Sequence, residues 1–138
     1  MILTIENQDL ESDIPYSDDI YSMCEHYVEL LDIGEYECML NIVLHDTNLL
    51  DGLWGFCDWE PIDKLAEVHI AMKGPAWGIT LAHEMVHVKQ YFRKELDGSN
   101  CRFKWKGRNA DGYKYENQPW EREAFRREAD LYQKCWPL

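Results

Sequence analysis

The sequence predicts an α+β fold in a single domain. Apolar residues recur at helical spacing in three segments, and they alternate with polar ones in short stretches between the first two. The chain has 138 residues, 46% of them hydrophobic. That suffices for one core and leaves no room for a second domain of ordinary size. No internal repeat, low-complexity tract or Gly/Ser linker divides residues 1–138, so they are read as one unit.

The elements follow in order. Residues 18–31 place Ile20, Cys24, Tyr27, Val28 and Leu31 at helical spacing, with Ser17 as a cap and Gly34 suited to the stop. From 37 to 45 the period drops to two, with Cys38, Leu40, Ile42 and Leu44 on one side of a half-buried strand. Residues 46–52 read as a turn, 53–57 as a short second strand, and 64–72 as a third, ended by Gly74 and Pro75. A second helix is expected over 79–96, with Ile79, Ala82, Met85, Val86 and Phe92 as its apolar stripe and Asp97 and Gly98 closing it. Residues 101–115 read as a hairpin or ordered loop. The last helix starts at Pro119, whose fixed φ and missing N–H suit a first turn, and runs to about residue 133.

Charge is divided unevenly along this order. Residues 1–60 hold 15 Asp or Glu and no Lys or Arg; the remainder holds 11 acids and all 14 bases, for a formal net charge of -12. Such a balance disfavours a large nucleic-acid-binding face over the whole molecule. Regularly spaced Tyr, Trp, Ile and Leu separate the acidic half from a disordered acidic tail. The N-terminus has no basic start and no apolar run of signal-peptide length, so a cytoplasmic protein without a membrane segment is expected. Five cysteines, Cys24, Cys38, Cys57, Cys101 and Cys135, never form a C-x-x-C pair, which points to free thiols and away from a disulfide framework or zinc ribbon.

The second helix contains His83-Glu84-Met85-Val86-His87, an HExxH pattern. Residues four apart lie one turn above each other, so both imidazoles can reach one metal ion from a single rigid element. Glu84, beside the first of them, is offset towards the open side of that ion, where it can take a proton from water. A shuffle of this composition gives the string about one time in fifty, so the apolar helical context, including Thr80-Leu81-Ala82, carries much of the weight. The bland alternative is a pair of surface histidines.

A catalytic zinc site takes three protein ligands and leaves the fourth position to water. No His follows His87, so a carboxylate, or less favourably Cys101 or Cys135, must complete the set. The final helix offers Pro119-Trp120-Glu121-Arg122-Glu123-Ala124, with two carboxylates in its first turn and a small Ala that permits close packing.

HExxH followed by this helix resembles the minimal gluzincin metallopeptidases. The string PWEREA is similar to the PWExEA element of small phage and prophage metallopeptidases related loosely to the SprT-like and ImmA/IrrE groups. The resemblance covers roughly residues 65–130. It implies a minimal zincin-like domain: an N-terminal helix, a small twisted and mostly antiparallel sheet, the HExxH helix, and a C-terminal helix carrying the Glu ligand. It further implies one Zn2+ per chain, a peptide or protein substrate and a viral or prophage setting. The E-x-x-A spacing of gluzincin helices maps the ligand onto Glu121, with Glu123 as the competing assignment. Related patterns place Asp or Asn four residues beyond the ligand Glu. Here that position is Phe125, and Asp130 lies further on, which leaves the partners of the imidazoles open.

The expected function is zinc-dependent peptide-bond hydrolysis, with zinc activating water and Glu84 as general base. Tyr113, Tyr115 and His69 are candidate stabilisers of the transition state. The strand over residues 64–72 is, by analogy with zincins, a candidate edge for aligning an extended peptide. Arg102, Lys104, Lys106 and Arg108 interleave with Phe103 and Trp105 as a single-strand nucleic-acid groove does, although aromatic packing over the core accounts for the same pattern. The competing function is an acidic partner-binding or DNA-associated module whose zinc site is not proteolytic. A closed structural zinc site fits less well, since two His and one carboxylate leave a coordination position open.

Overall fold

A computed structural model describes residues 1–7, 17–46, 53–73, 76–98 and 103–135. In chain order the main elements are β1 (Ile2–Asn7), α1 (Ser17–Leu31), β2 (Met39–His45), β3 (Gly55–Glu60), β4 (Leu65–Ala71) and α2 (Trp77–Phe92). Three two-residue strands follow, β5 (Leu96–Asp97), β6 (Lys104–Trp105) and β7 (Arg108–Asn109), then a 3-10 turn at Tyr115–Asn117 and α3 (Pro119–Cys135). The Ser17 side chain, most of the predicted 46–52 turn, Gly74, Pro75, Cys101 and Arg102 lie outside the described residues.

The fold is α+β, with a four-stranded sheet in the order β1-β2-β4-β3. Its pairing corrects the expected antiparallel majority: β1 with β2 and β2 with β4 are parallel, and only β3 with β4 is antiparallel. The cause is the connectivity. α1 carries the chain back between β1 and β2, and β3 runs back along the outer edge so that β4 returns parallel to β2. Strand β1 was not foreseen, although Leu3 and Ile5 alternate with Thr4 and Glu6. Antiparallel pairing is confined otherwise to the small β5-β6-β7 sheet. Its β6–β7 hairpin turns through Lys106 and Gly107, at φ 52° and 81°, a two-residue turn whose backbone twist suits a hairpin.

The period-two pattern of the strands sorts the two faces of the sheet. Leu3, Leu40, Ala66 and Trp59 lie in one row across it, and Ile5, Ile42, Val68 and Cys57 in the next. This face meets the helices in one apolar cluster that includes Ile20, Tyr27, Leu81, Met85, Val86 and Leu131. Each such side chain contributes about 1.5–3 kcal/mol on burial, which fixes the rotation of every helix more firmly than any single polar contact can. Gly55 lets β3 approach α2, since a Cβ there would stand 2.7 Å from Thr80 Cγ2. Gly78 does the same between α2 and α3, where a Cβ would collide with the Tyr132 ring.

The first helix ends where the sequence places it, at residue 31, but is closed by a different residue, and the end of the second is displaced. α1 ends at Leu31 with Asp32 at φ 55°, and the Ile33 and Asp32 N–H groups donate to Val28 O and Glu29 O. α2 ends at Phe92, four residues early, with Lys94 at φ 58° and the Glu95 and Lys94 N–H groups donating to Gln90 O and Tyr91 O. Both closures are Schellman motifs in which Asp or Lys occupies the left-handed position usually held by glycine. For that reason the glycine signals at 34 and 98 misled. No helix among the described residues is long and apolar enough to cross a membrane.

Candidate metal centre

Every residue of α2 from Leu81 to Gln90 is buried, including His83, Glu84, His87, Lys89 and Gln90. Buried polar groups must find partners or forfeit several kcal/mol, and His83, His87, Lys89 and Gln90 find them chiefly on α3. His83 Nε2 and His87 Nε2 converge on the Glu121 carboxylate, at 2.9 Å and 3.0 Å. The three residues each offer one ligand atom within 4.8 Å of the others, so they can hold a metal ion. Glu121 sits in the first turn of α3, where the fully buried Ala124 allows the helix to press against α2.

Hydrogen bonds on the far side of each imidazole fix its orientation. Glu128 Oε2 lies 2.7 Å from His83 Nδ1, and a carboxylate only accepts, so Nδ1 carries the proton and Nε2 faces the centre. His87 is set through Gln90, which is fully buried. The Gln90 Nε2 amide donates to Trp120 O and Glu123 Oε1, both at 2.9 Å, which leaves Gln90 Oε1 to accept from His87 Nδ1 at 2.8 Å. Glu123, the competing ligand in the sequence, is thus engaged elsewhere: Lys89 Nζ donates to it at 2.6 Å and Arg127 at 3.3 Å. Gln90 and Glu128 were not singled out in the sequence. Their spacing was a usable signal, since Gln90 is three residues beyond His87 and Glu128 seven beyond Glu121, each on the same helix face. Removing either partner, by Gln90→Ala or Glu128→Ala, should weaken metal binding about 10–100-fold in a competitive chelator titration while one metal per chain is still bound at saturation.

The electrostatics follow from this packing. Burial works against the Glu121 carboxylate, but the hydrogen bonds from His83 and His87 outweigh it and bring its pKa down to about 2. Burial likewise favours neutral His83, yet Glu121, Glu84 and Glu128 together raise its pKa to about 9. His87 is raised for the same reasons. Without metal, protons therefore bridge the imidazoles to Glu121, and a metal ion must displace them. Affinity should rise with pH up to about 9, by at least about tenfold per unit, with protons released on binding. Metal titrations at several pH values in two buffers of different ionisation enthalpy measure both effects.

Glu84 lies on the wall of a cleft of about 240 Å³ that also contains His83, His87, Glu121 and Tyr115. Burial raises its pKa, against the pull of His87 and His83, in the direction that suits a base working near neutral pH. β3 supplies Gly55, Phe56 and Cys57 to the lining of the same cleft. The remaining sequence candidates separate clearly. The Tyr115 hydroxyl donates to Glu121 Oε1 at 3.2 Å, whereas Tyr113 is about half exposed and lines no part of the cleft. His69 lies on the far face of the sheet, between His45 Nε2 at 2.8 Å and Glu67 Oε1 at 2.7 Å, with its ring stacked on Phe56. Phe125 packs edge-on against His83, 4.6 Å between ring centroids.

Cys135, a weaker ligand candidate, is buried in the main apolar cluster, and Cys24, Cys38, Cys57 and Cys135 are all free thiols. In the basic hairpin, Phe103 stacks on Trp120 at 5.3 Å and Trp105 tilts towards it at 6.2 Å. Those aromatics pack against α3, while Lys104, Lys106 and Arg108 are exposed. The expected edge role of β4 is corrected, because β4 lies between β2 and β3; β3 is the outer strand on that side. Compared with protein-family models, curated proteins and solved structures, the chain matches none.

Proposed function

We propose that this protein is a zinc metallopeptidase of minimal gluzincin type. The observation that carries the reading is the convergence of His83 Nε2, His87 Nε2 and the Glu121 carboxylate in a cleft whose wall includes a buried Glu84. Two imidazoles and one carboxylate, with space beside them, are the donor set of a catalytic zinc site, and they are too few to close a structural one. Zinc held there supplies Lewis acidity to water and to the substrate carbonyl. Glu84 accepts the proton from the attacking water and returns it to the leaving amine. The Tyr115 hydroxyl, at the cleft wall, turns from Glu121 to donate to the developing oxyanion. Glu128 and Gln90 keep both imidazole lone pairs directed at the centre throughout.

β3, whose outer edge has no partner strand among the described residues, aligns the substrate in place of the β4 edge suggested by the sequence. The test is cleavage of a proteome-derived peptide library by the zinc-loaded chain, read by mass spectrometry. New termini that disappear with a zinc chelator and return on adding zinc are expected. An unchanged library would overturn the peptidase reading and favour a metal-bearing binding module.

A further inference from the structure

A second cavity, of about 650 Å³, adjoins the metal cleft and shares Tyr91 and Leu96 with it. We propose that this cavity is a substrate subsite that takes an acidic residue of an extended peptide lying along the outer edge of β3, with the scissile bond in the metal cleft. The proposal rests on the peptidase reading for its register and on the cavity's own walls for its chemistry.

The register comes from β3. Cys57 lines the cleft and Trp59 lines the cavity, on the same face of the strand and two residues apart. Two residues of extended chain span about 7 Å, so a peptide pairing with β3 passes from one to the other within a few residues.

The walls set the chemistry. Tyr36, Trp59, Tyr91 and Phe92 form an aromatic surface, with Trp59 stacked on Tyr91 at 5.8 Å. The wall holds three cations, Lys64, Arg93 and Lys94, against two carboxylates, Glu37 and Asp97, in a chain with 14 cations and 26 carboxylates overall. Arg93 is occupied, donating to Leu31 O and Asp32 O at 2.9 Å. Lys64 and Lys94 are exposed and form no ion pair among the described residues. Both also stand at left-handed backbone positions, φ 52° and 58°, where a side chain is disfavoured by about 1–2 kcal/mol and glycine is not. Two lysines held at glycine-like positions on one cavity rim, neither in an ion pair among the described residues, suit a carboxylate brought by a ligand. The aromatic wall accepts the apolar stem and neighbours of that acidic residue.

The test uses the full-length, zinc-loaded Glu84→Gln chain, which should retain peptides without cutting them, immobilised and exposed to a random octapeptide mixture. Retained peptides, sequenced by mass spectrometry, should be enriched about tenfold in Asp or Glu at one position. Adding Lys64→Gly and Lys94→Gly, which remove the charges and relieve the backbone, should return that position to the composition of the input. Adding Lys64→Glu and Lys94→Glu instead should shift it towards Lys or Arg, and this pair decides the matter if the glycine pair fails to fold cooperatively. Retention without acidic enrichment, enrichment that survives both pairs, or no retention would overturn the assignment. Digestion of the same mixture by the unsubstituted chain reports separately on hydrolysis. Acidic enrichment without any cleavage would keep the cavity and remove the peptidase reading.

Discussion

Glu121→Ala should abolish stoichiometric metal binding, with affinity falling by more than the roughly 100-fold upper range expected for loss of an outer partner. The carboxylate is the point on which both imidazoles converge, and no other described acidic side chain joins them in a cluster able to hold an ion. Glu123→Ala is the informative contrast. Its carboxylate holds Lys89 and Gln90, so its loss should destabilise the α2–α3 contact and loosen His87 through Gln90. A saturable metal site should survive that change. Isothermal titration with zinc, alongside chemical denaturation, separates the two: Glu121→Ala moves chiefly the first and Glu123→Ala chiefly the second. Equal loss of metal in both variants would mean that α3 as a whole, and not one carboxylate, is needed.

Glu84→Gln should keep the metal and lower peptide hydrolysis by about 100- to 10,000-fold, the range for a positioned general base. The substitution conserves shape, which matters in a helix segment this closely packed. It removes the only property the proposed mechanism requires of the residue, namely a lone pair that takes up a proton. Metal content measured on the same preparation distinguishes a lost base from a lost site. Full activity with one metal per chain would assign the base elsewhere in the cleft.

The residues at the centre were legible because local spacing carried their geometry. His83, Glu84 and His87 lie within five positions of one helix, so helical period alone places them together. Glu121 required one long-range assumption, that α3 packs on α2, and PWEREA supplied the resemblance that suggested it. What escaped depends on contacts distant in sequence. Gln90 and Glu128 are visible as outer partners only once the two helices are docked. The parallel pairing of β1, β2 and β4 depends on how segments more than 25 residues apart come together, which the strands' own alternation does not encode. The early end of α2, and the residue that closes α1, were hidden because Lys94 and Asp32 adopt a conformation for which composition nominates glycine.

The division between an acidic first half and a slightly basic second half also acquires a spatial reading. All the proposed ligands and the proposed base lie beyond residue 60, on α2 and α3. The first half supplies α1, three strands and part of both cavity walls. Among the described residues, few of its acids pair with the basic half: the ion pairs joining the two halves are Lys73 with Asp46 and Arg93 with Asp32. Much of that charge therefore remains as a field around the molecule.

The central claim is that His83, His87 and Glu121 form a resident zinc site. Its most direct test is elemental analysis of the full chain purified without added metal, followed by zinc titration and removal of excess. About one zinc per chain, lost in His83→Ala and in Glu121→Ala, is the predicted result. Less than about 0.2 zinc per chain, with no gain on titration at pH values near 9 where His83 gives up its proton, would contradict it.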